Sequence, residues 1–170
     1  MNLRTRRVTH AAVIAALYAV LTHMQNIILP NSASMAIQCR ISEALCVLAF
    51  FTPAAIPGLT IGCLVFNITF AAALPLDWLV GSLASLSAAA LMWATRNIRF
   101  RGYPLLGMLM PVLTNAIFVG WELDIYIGGG FAVNALYVAL GELTVMLTLG
   151  TVLLRVLEKR GFGRRFLSQD

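Results

Sequence analysis

Charge is scarce in this chain. Only 11% of its 170 residues are Asp, Glu, Lys or Arg, whereas 60% are hydrophobic, and the mean hydropathy is +0.87. A soluble domain of this size could not hide so much apolar surface, because a small globule turns too much of itself to water. Catalytic hardware is scarce as well. No GxxxxGK[ST] phosphate loop is present, which argues against ATP hydrolysis by the common route. Cys39, Cys46 and Cys63 are isolated thiols without CxxC spacing or a Cys/His cluster. They read as small apolar core residues rather than metal ligands. His10 and His23 lie near opposite ends of one apolar run, with no Ser-Gly nucleophile motif beside them, so an intramembrane Ser–His pair is not supported. No repeat with a period of 20–50 residues is visible, and the connections are too short to hold an extramembrane domain.

Long apolar runs, by contrast, recur from one end to the other, and lipid is their natural solvent. Residues 8–29 form a run able to cross about 30 Å of hydrocarbon at ~1.5 Å per residue. Although its basic start imitates a secretory signal, the stretch is long and "NSASMA" lacks a clean small-x-small cleavage triplet, so a retained helix is expected. A short second segment, 39–52, stops at Pro53, and Pro53 and Pro57 mark a turn or the opening of the next helix. Further spans are expected at 54–73, 77–95, 104–121 and 131–154. The predicted architecture is an all-α integral membrane protein, a single domain over 1–170 built as a bundle of six transmembrane helices.

The basic residues set an expected orientation. Arg4, Arg6 and Arg7 precede the first span. Arg96, Arg99 and Arg101 separate the fourth from the fifth, and Arg155, Lys159, Arg160, Arg164 and Arg165 follow the sixth. Six spans place all of these on one side, which the positive-inside rule makes cytoplasmic, together with both termini. The formal net charge of +5 then needs no nucleic acid; cytoplasmic loops, helped by anionic lipid, account for it. Arg40 is the one basic residue left on the outer side.

Polar groups at membrane depth are the candidate chemistry. Glu142 sits near the middle of the sixth span, where a carboxylate costs roughly 2.5–3.5 kcal/mol unless paired, protonated or facing water. It reads either as helix glue or as a ligand or ion site, with Asn134 and Tyr137 extending its polar track outward. Asn67 and Asn115 lie at a common depth in the outer halves of the third and fifth spans. Interhelical amide bonds contribute only about 0.6 kcal/mol on average, so packing alone explains them poorly. Together with Arg40 and Glu43 these residues describe a pocket open to the outside. Arg40 and Glu43, three apart, share one helix face. They read either as a structural ion pair or as a fork and a carboxylate offered to a ligand. Asp77, Glu122 and Asp124 cluster at the outer helix ends.

The first span carries a different signal. Ala11, Ala15 and Ala19 recur at every fourth position, flanked by Ala12 and Ala16. Such a stripe lets another helix approach closely, within the bundle or from a separate membrane protein.

These residues carry a family likeness. The stretches "IQCRISEALCVLAFFTPAAIPGLTIGCLVFN" (37–67), "DWLVGSLASLSAA" (77–89), "PVLTNAIFVGWEL" (111–123) and "NALYVALGELTV" (134–145) resemble the QueT family. Its members are substrate-binding S components of energy-coupling factor (ECF) transporters, assigned to uptake of queuosine precursors. One departure is Ala49 in "VLAFF", where the family usually has proline. The resemblance implies a six-helix bundle in a bacterial cytoplasmic membrane that binds its ligand near the extracellular face. It implies a lid in the loop "PNSASMAIQ", and docking through Ala11, Ala12, Ala15, Ala16 and Ala19 onto a transmembrane coupling subunit driven by two ATPases. No cofactor is expected in this chain, since ATP would be hydrolysed by the partners. The implied ligand is a 7-deazaguanine such as its 7-aminomethyl form. Gln38, Arg40, Glu43, Asn67, Asn115, Glu122, Asn134, Tyr137 and Glu142 are its candidate contacts. A carboxylate can accept from adjacent N–H groups of the guanine edge, and Asn, Gln or Arg can donate to its carbonyl. Glu43 or Glu142 is expected to read that edge, with another carboxylate, Glu122 among the candidates, neutralising the amine.

Two competing readings remain at this level. A stand-alone proton-coupled carrier would use Glu142 as its titrating carboxylate. A membrane enzyme would need a dyad such as Asp77 and Asp124, but both fall at helix ends.

Overall fold

The computed structural model describes residues 2–30, 39–70 and 73–162. The expected lid beyond Pro30, with Gln38, lies outside the described residues, as do Arg164 and Arg165. The fold is all-α, in six rods. Helix α1 spans Leu3–Ile28 and is followed by a 3-10 helix, Ile41–Phe50. Next come α2 (Ala55–Thr69), α3 (Pro75–Ala94) and α4 (Leu105–Ile127). The sixth rod is continuous from Phe131 to Lys159: α5 (Phe131–Val145), a π-helical turn (Met146–Gly150) and α6 (Thr151–Lys159). Four rods, α1, α3, α4 and the sixth, are long and apolar enough to cross a membrane, whereas the 3-10 helix and α2 are shorter. The chain is a multi-pass membrane protein.

Rods α1 and α2 run parallel, because Gly58 meets Ala11 and Ile14 while Gly62 meets Ala15 and Tyr18. A Cβ on Gly62 would lie 2.7 Å from the Tyr18 Cβ and 2.8 Å from the Ala15 carbonyl oxygen. Glycines four apart thus let α2 close onto α1 until backbones touch. Rods α4 and α5 use the same device, with Gly120 against Ala135.

The 3-10 helix is the hub and touches every other helical segment. Its geometry departs from the expected α-helix. At ~2.0 Å rise per residue, ten residues reach about 20 Å, roughly a third further than in α form. Side chains at i and i+3 eclipse in this geometry, so Glu43, Cys46 and Ala49 form one buried ridge, and Ala44, Val47 and Phe50 a second. Runs of this length are uncommon, and here tertiary burial overrides the usual preference.

Several boundaries also differ from expectation. Rod α4 continues past 121 to Ile127, carrying Glu122 and Asp124 inside the helix. Acidic residues do not stop a helix. Gly128, Gly129 and Gly130 do, with φ of 73°, 87° and 93°. At the end holding residues 2 and 162, Arg99 pairs with Glu158 at 2.7 Å and ties the α3–α4 connection to α6.

Candidate functional site

A cavity of about 200 Å³ lies at the opposite end of the bundle, among the start of the 3-10 helix, the end of α2, the start of α3 and the end of α4. Arg40, Asn67, Asp77 and Glu122 supply its polar lining, with Phe66 and Phe70 among its apolar residues. Larger grooves of about 550 Å³ run along the sides of the bundle, but their walls are almost wholly apolar and face where lipid would lie. Recognition of a polar molecule needs convergent polar groups, so the end cavity is the candidate site.

Each lining group is held by local structure. Arg40 precedes the 3-10 helix in extended conformation, with φ −78° and ψ 103°. Its guanidinium carbon lies 5.6 Å from the Phe66 ring centroid, and Nη1 is 3.5 Å from the Tyr18 hydroxyl. Phe66 stacks on Phe70 at 5.2 Å and meets His23 edge-on at 5.0 Å, which fixes an aromatic wall. Asp77 occupies the first turn of α3, where its carboxylate accepts the Leu74 N–H at 2.7 Å and suits the positive end of the helix. Glu122, from the end of α4, lines the same cavity as Asp77. Asn67 donates through Nδ2 to the Asp77 carbonyl at 2.7 Å, pinning α2 to α3, and Gly81 is bare where that amide passes. With its amine hydrogens committed to Asp77 and Cys63, Asn67 can offer a ligand its carbonyl oxygen.

Three expected contacts lie deeper and engage protein instead. Glu43, almost fully buried, accepts from the Tyr18 hydroxyl and from Cys46 Sγ at 3.2 Å. The expected direct Arg40–Glu43 pair is replaced by a relay, with the Tyr18 hydroxyl between the two charges. Asn115 donates to Glu142 Oε1 at 3.1 Å, while Oε2 is buried without a hydrogen-bond partner among the described residues.

Two more expected contacts lie elsewhere. Asn134 donates to the Gly128 carbonyl at 2.8 Å and braces the glycine turn before α5. Tyr137 is 40% exposed and does not line the cavity. Asp124 accepts the Gly130 N–H at 2.9 Å, again bracing that turn, so it forms no dyad with Asp77.

Other groups shape the site without having been singled out from sequence. Gln25 accepts the Ile41 N–H at 2.8 Å and donates to the Cys39 carbonyl at 2.7 Å, while Thr22 donates to Ser42 at 2.6 Å. With Tyr18 they anchor the start of the 3-10 helix. Their signal was the spacing 11, 15, 18, 22, 25, one stripe of α1 that changes from small to polar halfway along. Ala11 and Ala15 belong to that inward stripe against α2, and Ala19 is buried beside it. Ala12 and Ala16 are exposed.

No group of three or more metal-ligating side chains occurs among the described residues. The described residues form a multi-pass helical membrane bundle with a small polar-lined cavity at one end. The model of one family, described as the QueT transporter, matches residues 8–159, and the chain belongs to that family. It is a transporter, not an enzyme, and family membership implies a small-molecule substrate. No curated protein and no solved structure matches the chain.

Proposed function

We propose that this chain is the substrate-binding S component of an ECF importer, capturing a queuosine precursor of the 7-deazaguanine class at the extracellular side. ATP hydrolysis and the inward step then belong to a coupling subunit and two ATPases. Family membership over residues 8–159 carries the reading. The cavity supports it in size and chemistry. Its volume of about 200 Å³ is below the roughly 300–1,000 Å³ of sites for drug-sized ligands and suits one small bicycle. An aromatic wall serves the flat face of the base, and the Asn67 carbonyl and the carboxylates accept N–H groups. Arg40 donates to a carbonyl. The exposed Ala12 and Ala16, beside a groove at the entrance to α2 lined by Ala11, Pro53 and Pro57, offer a smooth face to the coupling subunit.

The test is reconstitution. In liposomes the chain alone should bind but not accumulate a 7-deazaguanine, and uptake should require the coupling subunit, both ATPases and ATP. Native mass spectrometry of the purified chain should find a 7-deazaguanine retained. The unpartnered Oε2 of Glu142 favours a second reading, a proton-coupled carrier. Uptake by the chain alone, driven by a proton gradient, would establish that reading and remove the first.

A further inference from the structure

We propose that the connection between α3 and α4 seats one anionic phospholipid, with an acyl chain in a groove along the start of α4 and the headgroup phosphate against Arg99 and Arg101. The site lies at the far end of the bundle from the polar cavity and does not depend on what that cavity binds.

The connection joins two membrane-spanning rods, so it sits at the level of the lipid headgroups. Two of its apolar side chains, Ile98 and Phe100, stay 53% and 67% exposed there. With Arg99, Leu105, Leu106 and Leu109 they line a groove of about 340 Å³. Leu105, Leu109 and the exposed Leu113 follow one face of α4, so the groove runs out onto the lipid-facing side of that helix. A hydrocarbon chain can enter it from the bilayer without crossing polar surface.

A tight turn places the charges beside this groove. Phe100 and Tyr103 exchange both backbone hydrogen bonds, at 2.9 and 3.0 Å, and Arg101 and Gly102 between them have φ of 50° and 81°. Such a turn favours Gly, Asn or Asp at its central positions. Arg101 is the one non-glycine with positive φ among the described residues, and its exposed side chain gains no packing in return. What the turn achieves is to set the Arg101 guanidinium 5.6 Å from the centroid of Phe100, a ring that lines the groove. Arg99 is fixed as well, since Nη1 donates to the Gly102 carbonyl at 3.2 Å and to Glu158 at 2.7 Å.

Charge selects the headgroup. Glu158 offsets Arg99, whereas Arg101 has no carboxylate partner among the described residues, and Arg96 and Lys159 add positive charge at the same end. A guanidinium can hold two phosphate oxygens at once. A zwitterionic headgroup would bring its own cation against these arginines, and an anionic one would not. An acidic protein segment could meet the arginines, but it would leave a groove that opens into hydrocarbon unfilled.

The experiment uses the purified full chain in neutral detergent. Native mass spectrometry and thermal unfolding are run with phosphatidylglycerol or phosphatidylcholine. Wild type should retain one phosphatidylglycerol with about tenfold preference, and only that lipid should raise the unfolding midpoint. Arg101→Asn puts a residue suited to positive φ in the turn, so the lipid-free midpoint should hold. The preference should fall about fivefold, the effect of one arginine beside an anionic surface. Leu105→Gln should also weaken phosphatidylglycerol, through the groove. Arg4→Gln removes a charge at the same end, on α1, and should leave the preference unchanged. The proposal is overturned if wild type retains both lipids alike, or neither, which would leave the arginines to an acidic protein partner. It is overturned if Arg4→Gln costs as much as Arg101→Asn, because the attraction would then be a diffuse field. It is overturned equally if Leu105→Gln changes nothing, or if glycerol phosphate displaces the lipid at equal concentration, because the headgroup alone would then be recognised.

Discussion

The hydroxyl of Tyr18 holds two charges apart in the bundle interior, donating to Glu43 and lying 3.5 Å from Arg40 Nη1. Tyr18→Phe keeps the ring and its packing but strands a buried carboxylate oxygen. Such a loss costs about 1–3 kcal/mol, and more when the group is charged. The expected outcome is a lower unfolding midpoint in detergent, together with weaker ligand binding because Arg40 loses a restraint. An unchanged midpoint would mean that water or another donor already serves Glu43. Glu142→Gln should behave differently. Gln keeps an acceptor for Asn115 and cannot ionise at this buried position, so stability should hold or rise slightly in the same assay. A fall of more than about 1 kcal/mol, the usual size of a single hydrogen bond, would show that the carboxylate has a role Gln cannot fill.

Among the elements, α2 and the 3-10 helix are short, and close approach compensates for their length. Gly62→Ala would place a methyl 2.7 Å from the Tyr18 Cβ and 2.8 Å from the Ala15 carbonyl, both fixed parts of α1. Overpacking of this kind costs typically ~1–3 kcal/mol. Moving α1 also moves Tyr18, Thr22 and Gln25, which hold the start of the 3-10 helix. The variant should therefore lose both stability and affinity, measured by thermal unfolding and by titration. Loss of stability alone would uncouple the α1–α2 contact from the site. This dependence also shows what could be read in advance. Six apolar rods, the basic loops and the depth of Asn67, Glu122 and Arg40 were legible because hydropathy and position along a helix are local properties. Azimuth is not local. Glu43, Asn115 and Glu142 sit at suitable depths but turn toward Tyr18, Cys46 and each other, and that rotation is set by neighbouring helices. Nor could composition distinguish a ten-residue 3-10 helix from an α-helix, since burial on nearly every side decides it. The end of α4, by contrast, was written plainly in three consecutive glycines. It was misplaced because the acidic residues before them look like a membrane boundary.

At the scale of the whole molecule, alternation of the rods puts residues 2 and 162, the Arg96–Arg101 connection and Lys159 at one end, with Arg40 and the cavity at the other. On the proposed function the first end is cytoplasmic, as the positive-inside rule expects, and a receptor for external ligand needs the cavity end outside. Both arguments give the same orientation, and surface labelling can separate them from its reverse. Asn97 is exposed in the connection between α3 and α4, and Ala132 is exposed at the opposite end, at the start of α5. Cys46 and Cys63 are buried, so replacing Cys39 by Ser leaves little reactive background. In that background, Ala132→Cys should react with a membrane-impermeant maleimide in intact cells, and Asn97→Cys only after permeabilisation. The opposite pattern would turn the cavity to the cytoplasm, and a chain that captures ligand there could not be the receptor of an importer. Labelling of Ala132→Cys should be unaffected by adding ligand, because Ala132 does not line the cavity. Protection there would instead show that ligand binding reorganises the glycine turn braced by Asp124 and Asn134.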